Sequence, residues 1–266
     1  MSTTLIDCTP TEKMAIYAAR ALIPYAETNA LIGIGMPTLA GKIAQALWCK
    51  NMNIIIENGA FDAALPEVPF SLFGGRTTYG SSSLHDPTTA LSSCKRGVAK
   101  IGFIGGAQVD KYGNVNTNYA GDINGKLHRI AGSGGAVDIG CFCEDTTIVV
   151  ACSKRSLIDR VDYVTTPGWI CVDNSQGKRE WVHRRKIGLP GGPSQIITDK
   201  CIFRFNDEGE AYLFQYYPGI SIDEIRENVG FDFDSSKATE ADSVTAEELN
   251  VLRTVADPLN LYKTRK

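Results

Sequence analysis

Glu57 ends the run Met52-Asn53-Ile54-Ile55-Ile56, and Asn58-Gly59 follows it at once. Consecutive isoleucines suit a strand covered on both faces, because β-branched side chains pack well on a pleated surface. Asn-Gly then turns the chain. The pattern delivers a carboxylate to the C-terminal end of a buried strand, the edge at which open α/β sheets bind ligands. There it could serve as a nucleophile, a general base or a metal ligand.

Other chemistry-bearing residues are less pointed. His85, His128 and His183 form no metal pattern such as H-E-x-x-H and read as surface or structural groups. His128 lies close in sequence to Gly132, which also makes it a candidate substrate contact. The eight cysteines include no C-x-x-C pair, so reduced, mostly buried thiols are expected and no metal site. Cys141 and Cys143 would share one face if their segment is extended.

Three glycine-rich segments follow apolar runs: Gly33-Ile34-Gly35-Met36-Pro37, Gly105 to Asn116, and Gly132-Ser133-Gly134-Gly135-Ala136-Val137-Asp138. The first fails the dinucleotide fingerprint, since Thr38 stands at the third glycine position. It also fails as a phosphate loop: Gly35 is one residue too far from Gly41-Lys42, and Ile43 replaces the magnesium-binding hydroxyl. Each segment serves as a tight turn, or lets backbone N–H groups approach an oxyanion or phosphate. Together with Glu57 they favour a polar, backbone-lined cleft.

The elements that must position these groups are legible from caps and periodicity. Thr9-Pro10-Thr11-Glu12 is a capping-box start for a helix running towards Pro24. A strand is expected at 30–35, a helix at about 38–47, and the strand 54–56. Further strands are expected at 98–104, 146–151, 161–165, 195–198, 201–205 and 211–217, the last two joined as a hairpin through Asn206 to Glu210. Ser221 with Glu224 and Thr245 with Glu248 mark two more helix starts, at about 222–228 and 246–256. The architecture implied is one α/β domain with an added β-rich section towards the C-terminus.

With 266 residues, 43% of them hydrophobic, the chain can build one large core or two small ones. A net charge of −3 points to neither nucleic acid nor an acidic membrane surface. No apolar run approaches the ~18 residues of a membrane span, and the N-terminus lacks signal-peptide form. A cytoplasmic protein is expected.

In order and spacing these motifs resemble the class I CoA-transferases. Glu57-Asn58-Gly59 is similar to the core of their Ser-Glu-Asn-Gly signature, with Ile56 in place of the serine. Gly33 to Pro37 resembles their Gly-Ile-Gly-aliphatic-Pro loop, and Gly132 to Asp138 their Gly-Met-Gly-Gly-Ala-Met-Asp loop. The likeness is to the B (β) subunits of the glutaconate CoA-transferase branch, and covers roughly residues 8–260. It includes Glu67-Val68-Pro69, 104–116, 162–170, Gly188-Leu189-Pro190 and Gly230-Phe231-Asp232.

The resemblance implies an open, mainly parallel sheet with flanking helices, and residues 1–266 as a single domain of the B (β) type. It implies ping-pong transfer of CoA between an acyl-CoA and a carboxylic acid through a glutamyl-CoA thioester on Glu57. Gly33, Gly35, Asn58, Gly59, Gln108, Gly134 and Gly135 become candidates for oxyanion or CoA contacts. Tyr79, Ser81 and Ser82 could face the acyl pocket. No permanently bound cofactor or metal is implied. A homologous α subunit is, in a hetero-oligomer. The same branch holds acyl-CoA hydrolases that open rings, and decarboxylases; retention of Glu57 favours transfer. The basic stretch 173–187, with Lys178, Arg179, Arg184, Arg185 and Lys186, reads as a solvated loop. The alternative is a contact with CoA phosphates or the partner.

Overall fold

The computed structural model describes residues 7–69, 71–122 and 125–262. The chain divides into two compact units, the first of residues 1–90 and 242–266, the second of residues 91–241.

In the first unit, α1 (Pro10–Arg20) starts where the capping box puts it. Thr9 Oγ1 accepts from the Glu12 N–H at 3.2 Å, and Glu12 returns to the Thr9 N–H at 2.8 Å. β1 (Asn29–Ile32) leads through the Gly33 loop into α2 (Met36–Leu47), and then β2 (Asn53–Ile56) runs parallel to β1. Gly41 explains the closeness of this packing: a Cβ there would meet Ile32 Cδ1 at 2.8 Å and Ile54 Cδ1 at 3.0 Å. The glycine that mimicked a phosphate loop therefore seats α2 on the sheet. Its neighbour Lys42 is buried and donates to the Leu65 carbonyl at 2.5 Å. Ile54, Ile55 and Ile56 are all buried, each contributing about 1.5–3 kcal/mol. β3 (Ala60–Phe61) and β4 (Ser83–Leu84) extend the order β1-β2-β3-β4 with antiparallel pairings.

The second unit begins inside α3 (Pro87–Lys95). β5 (Ala99–Gly105) is followed by the short strands β6 (Gln108–Asp110) and β7 (Val115–Asn116), and by the hairpin β8 (Tyr119–Gly121) and β9 (Leu127–Arg129). Then come α4 (Ala136–Phe142), β10 (Asp145–Val149) and β11 (Leu157–Ile158). A hairpin, β12 (Ile170–Asp173) and β13 (Glu180–His183), precedes β14 (Pro193–Ile197), β15 (Cys201–Phe205), β16 (Ala211–Tyr216), α5 (Ile222–Asn228) and β17 (Thr239–Glu240). The main strands stand in the order β17-β16-β15-β14-β10-β5. β5, β10 and β14 are parallel, and β14, β15 and β16 antiparallel, which is the expected β-rich addition.

Several expectations fail for identifiable reasons. Residues 161–165 form no strand; Thr165 and Thr166 instead bind the Val115 carbonyl. Cys141 and Cys143 lie at the end of α4 rather than on an extended segment, and the buried Cys143 sulfur meets Cys94 at 3.0 Å. All eight cysteines are free thiols. At Ser221 the hydroxyl accepts from the Glu224 N–H, but the Glu224 carboxylate is engaged by Lys200. The basic stretch is solvated at Lys178, Arg179, Arg185 and Lys186, which are exposed, but it holds the strand β13 and one exception, the fully buried Arg184.

The chain returns to the first unit with α6 (Ala246–Val251), which continues as a π-helical turn over Leu252–Ala256. Two guanidinium–carboxylate forks fasten it to α1: Arg20 grips Glu248 at 2.7 and 2.8 Å, and Arg253 grips Glu12 at 2.7 and 3.0 Å. Glu12 and Glu248 are only 2% and 4% exposed. Burial alone would raise both carboxyls. Arg253 and Thr9 outweigh it at Glu12, and Arg20 and Thr245 at Glu248, so both are held below the usual range. Such groups stabilise the fold fully above the unfolded carboxylate pKa, and the contribution is lost as pH falls through the folded values. Asp110 acts in the opposite sense. Burial pushes it up to about 6, so its contribution fades as pH rises through that value. The stability difference between wild type and the Glu12→Gln/Glu248→Gln variant isolates the forks. It should be constant near neutrality and shrink below about pH 4.5. Urea titrations from pH 3 to 7 check this; a gap that does not change with pH would contradict it.

Candidate active site

Glu57 stands one residue beyond β2, half-buried, where the isoleucine run leaves the sheet. Its carboxylate lies against the first glycine loop: a Cβ on Gly33 would be 3.5 Å from Glu57 Oε1. The turn after it is closed by the Gly59 N–H, which donates to the Ile56 carbonyl at 3.0 Å. Gly59 has φ +104, and a Cβ there would come within 1.9 Å of the His85 carbonyl oxygen. No other residue fits, on either count. Gly59 therefore shapes the turn, and its own N–H is not free to meet an oxyanion.

Asn58 also has a different task from the expected one. Both hydrogens of its side-chain amide are used, on the Leu72 carbonyl at 2.9 Å and Thr77 Oγ1 at 2.6 Å, while its Oδ1 accepts from the Ala60 N–H. It clamps residues 72–77 beside the Glu57 turn, so it has no side-chain donor left for a substrate oxygen. In the following segment Phe73, Tyr79 and Leu84 are well exposed, at 73%, 63% and 62%. Ser81 donates back to the Thr78 carbonyl and Ser82 to Asp62 Oδ2, so neither hydroxyl is idle. His85 packs its ring edge on Phe61 and pairs with Ser83.

Gly35 caps α2 with φ +94 and no side-chain bond of its own. Thr38 Oγ1 instead donates to the Gly33 carbonyl at 2.7 Å, stiffening the loop. A residue that sequence reasoning missed reaches the same loop. A Cβ on Gly35 would lie 3.6 Å from the Tyr262 hydroxyl. An aromatic four residues beyond Pro258 carries no local signal of such a role.

The remaining candidates belong to the second unit. Gln108 donates to Asp162 at 2.7 Å and accepts from Asn116 at 2.6 Å, an arrangement that braces β6. Gly134, at φ +49, and Gly135, at the N-cap of α4, form the turn into that helix. His128 is exposed on β9. Arg184 is not available to a ligand: its guanidinium donates to the carbonyls of Pro167 (2.8 Å), Gly140 (2.6 Å) and Pro190 (3.0 Å). Burial holds its pKa below the usual value. Two cavities of about 570 and 560 Å³ in this unit are lined by neither Gln108 nor the glycine candidates, although Arg179 borders the second. Among the described residues no group of three His, Cys, Asp or Glu could hold a metal, and no helix is long and apolar enough to cross a membrane.

Comparison with known proteins gives a consistent pattern. The family model described as coenzyme A transferase matches residues 27–228. The B subunit of glutaconate CoA-transferase from Acidaminococcus fermentans is 35% identical over 238 residues, 85% of each chain. The B subunit of 3-oxoadipate CoA-transferase from Pseudomonas knackmussii is 31% identical over 247 residues, 91% of each. The crystal structure of glutaconate coenzyme A-transferase from A. fermentans superposes with a TM-score of 0.86 at 31% identity, over 98% of this chain and 100% of that one.

Proposed function

Because the chain belongs to the coenzyme A transferase family, we propose that it is the B (β) component of an enzyme moving CoA between an acyl-CoA and a carboxylic acid through Glu57. The observation that carries this is the Glu57 carboxylate at the C-terminal end of β2, held against the Gly33 backbone. The names of two relatives, a glutaconate and a 3-oxoadipate transferase, favour a dicarboxylic acid.

In the first step a Glu57 oxygen attacks the thioester carbonyl. The C–S bond breaks, CoA thiolate leaves, and a mixed anhydride forms. The thiolate then attacks the Glu57 carbonyl carbon and releases the acyl group as its carboxylate, leaving a glutamyl-CoA thioester. The acceptor carboxylate attacks that thioester, and the released thiolate takes the new acyl group, which regenerates Glu57. No net proton is consumed. Carboxylates are ionised at neutral pH, so attack needs no general base. They are weak nucleophiles in water, and holding the group beside the carbonyl supplies up to ~7–11 kcal/mol. Each tetrahedral oxyanion needs donors, one of which is worth ~3–4 kcal/mol. The main-chain N–H groups of the Gly33–Gly35 loop remain the candidates within this unit, since the Asn58 amide and the Gly59 N–H are committed.

A homologous α subunit completes the enzyme in this reading. The exposed Phe73, Tyr79 and Leu84, on the segment after the Glu57 turn, offer the apolar surface a partner would cover. The test is peptide mass analysis after the two-subunit complex is mixed with an acyl-CoA. A CoA adduct on the Glu57 peptide is expected. Turnover without any adduct would instead indicate hydrolysis or decarboxylation, which product mass separates. Full transfer rate from this chain alone would remove the partner from the proposal.

A further inference from the structure

Among the glycines of the first loop and the Glu57 turn, Gly33 has no conformational reason to be glycine. Gly35 and Gly59 take φ values of +94 and +104, whereas Gly33 lies outside the left-handed region, so its backbone suits residues with a side chain. Packing does not require glycine there either. A Cβ at Gly41 or Gly59 would collide with its neighbours. At Gly33, its chain neighbours aside, the only described heavy atom within 4 Å is Glu57 Oε1, at an ordinary contact distance of 3.5 Å. A glycine in such a place loses stability through the freer unfolded chain, with no packing gain to offset it. What it leaves is open space beside the carboxylate, and both residues are half-buried.

That space is held from the helix behind it. The Gly33 carbonyl accepts from Thr38 Oγ1 at 2.7 Å, and the Gly35 carbonyl from the Leu39 N–H at 3.1 Å. The first turn of α2 thus pins the loop at two points. Thr38 is fully buried, and α2 is seated on β1 and β2 at Gly41.

We propose that Gly33 and Thr38 are positioning residues of the Glu57 site: the side chain that Gly33 lacks leaves the lane by which the thioester carbonyl reaches Glu57 Oε1, and Thr38 keeps it open by fixing the Gly33 carbonyl. This rests on Glu57 being the reacting carboxylate. A carbonyl carbon about to be attacked stands about 3–3.5 Å from the attacking oxygen. A methyl group 3.5 Å from Oε1 would compete for that same shell. It would leave the carboxylate and the fold intact and displace the approaching substrate.

The experiment uses the two-subunit enzyme, with acetyl-CoA as donor and pentanedioate as acceptor. Gly33→Ala should melt at or slightly above the wild-type temperature. Its kcat should fall roughly hundredfold, with little change in KM for acetyl-CoA, whose CoA portion binds away from the methyl group. The CoA adduct on the Glu57 peptide should form correspondingly more slowly. Thr38→Val keeps the shape and loses the hydroxyl; it should lower kcat about tenfold, and Thr38→Ser should restore it. A Gly33→Ala enzyme that melts as wild type and transfers CoA at the wild-type rate would overturn the inference and leave the Glu57 reading standing. A Gly33→Ala chain that does not fold would overturn it too, since the glycine would then serve the fold. Wild-type transfer by Thr38→Val would refute the role of Thr38. A wild-type complex that turns over acetyl-CoA with no adduct on the Glu57 peptide would instead remove the Glu57 reading, and the lane with it.

Discussion

Glu57→Gln is expected to lower CoA transfer by the proposed two-subunit enzyme at least about a thousandfold, with the fold unchanged. Glutamine has nearly the same shape, so the Gly33 contact and the Asn58 clamp persist. What disappears is an oxygen able to attack a thioester and then carry CoA. An amide oxygen is a far poorer nucleophile, and a glutamine cannot form the anhydride and thioester in turn. The positioning advantage of ~7–11 kcal/mol is lost with the covalent route it serves. The measurement is transfer rate alongside thermal melting. A variant that melts as wild type and transfers CoA at more than a tenth of its rate would show that Glu57 is not the carrier.

Arg184→Ala is expected to cost about 3–5 kcal/mol of stability in the second unit, the range for an unpaired or broken buried charge site. Arg184 is fully buried, with no carboxylate partner among its bonds. Its guanidinium instead gathers carbonyls from three places: the Pro167–Gly168 segment, the last turn of α4, and Pro190. Carbonyls at a helix C-terminus favour a cation. Removing the side chain leaves these acceptors dry and unpaired at ~1–3 kcal/mol each, and opens a cavity. Arg184→Lys should rescue little, because a point ammonium cannot span acceptors that a planar fork reaches. Arg185→Ala, at an exposed neighbour, should stay within about 0.5 kcal/mol. Urea denaturation of the three variants separates these cases. If Arg184→Ala and Arg185→Ala are equally mild, the hub does not exist.

The sequence alone determined what depends on near neighbours. The Thr9–Glu12 and Thr245–Glu248 capping boxes, the isoleucine strand, the carboxylate at its end and the hairpin of β15 and β16 all follow from residues within a few positions of one another. The order of the glycine loops before and after Glu57 in the chain was enough to place it in its family. Tertiary structure decided what depends on burial and on partners distant in sequence. Arg184 reads as one more member of a solvated basic run until folding surrounds it with carbonyls from residues 140, 167 and 190. Cys141 and Cys143 would share one face if extended, yet they end a helix, with Cys143 against Cys94. Asn58 looks like an oxyanion donor until the Leu72 carbonyl and Thr77 take both its hydrogens. Tyr262 has no motif at all, and only the buried Asp257 brings it to Gly35. The common reason is that a hydrogen-bond donor's availability is set by what else folding brings within about 3 Å of it, and that is not a local property of the chain.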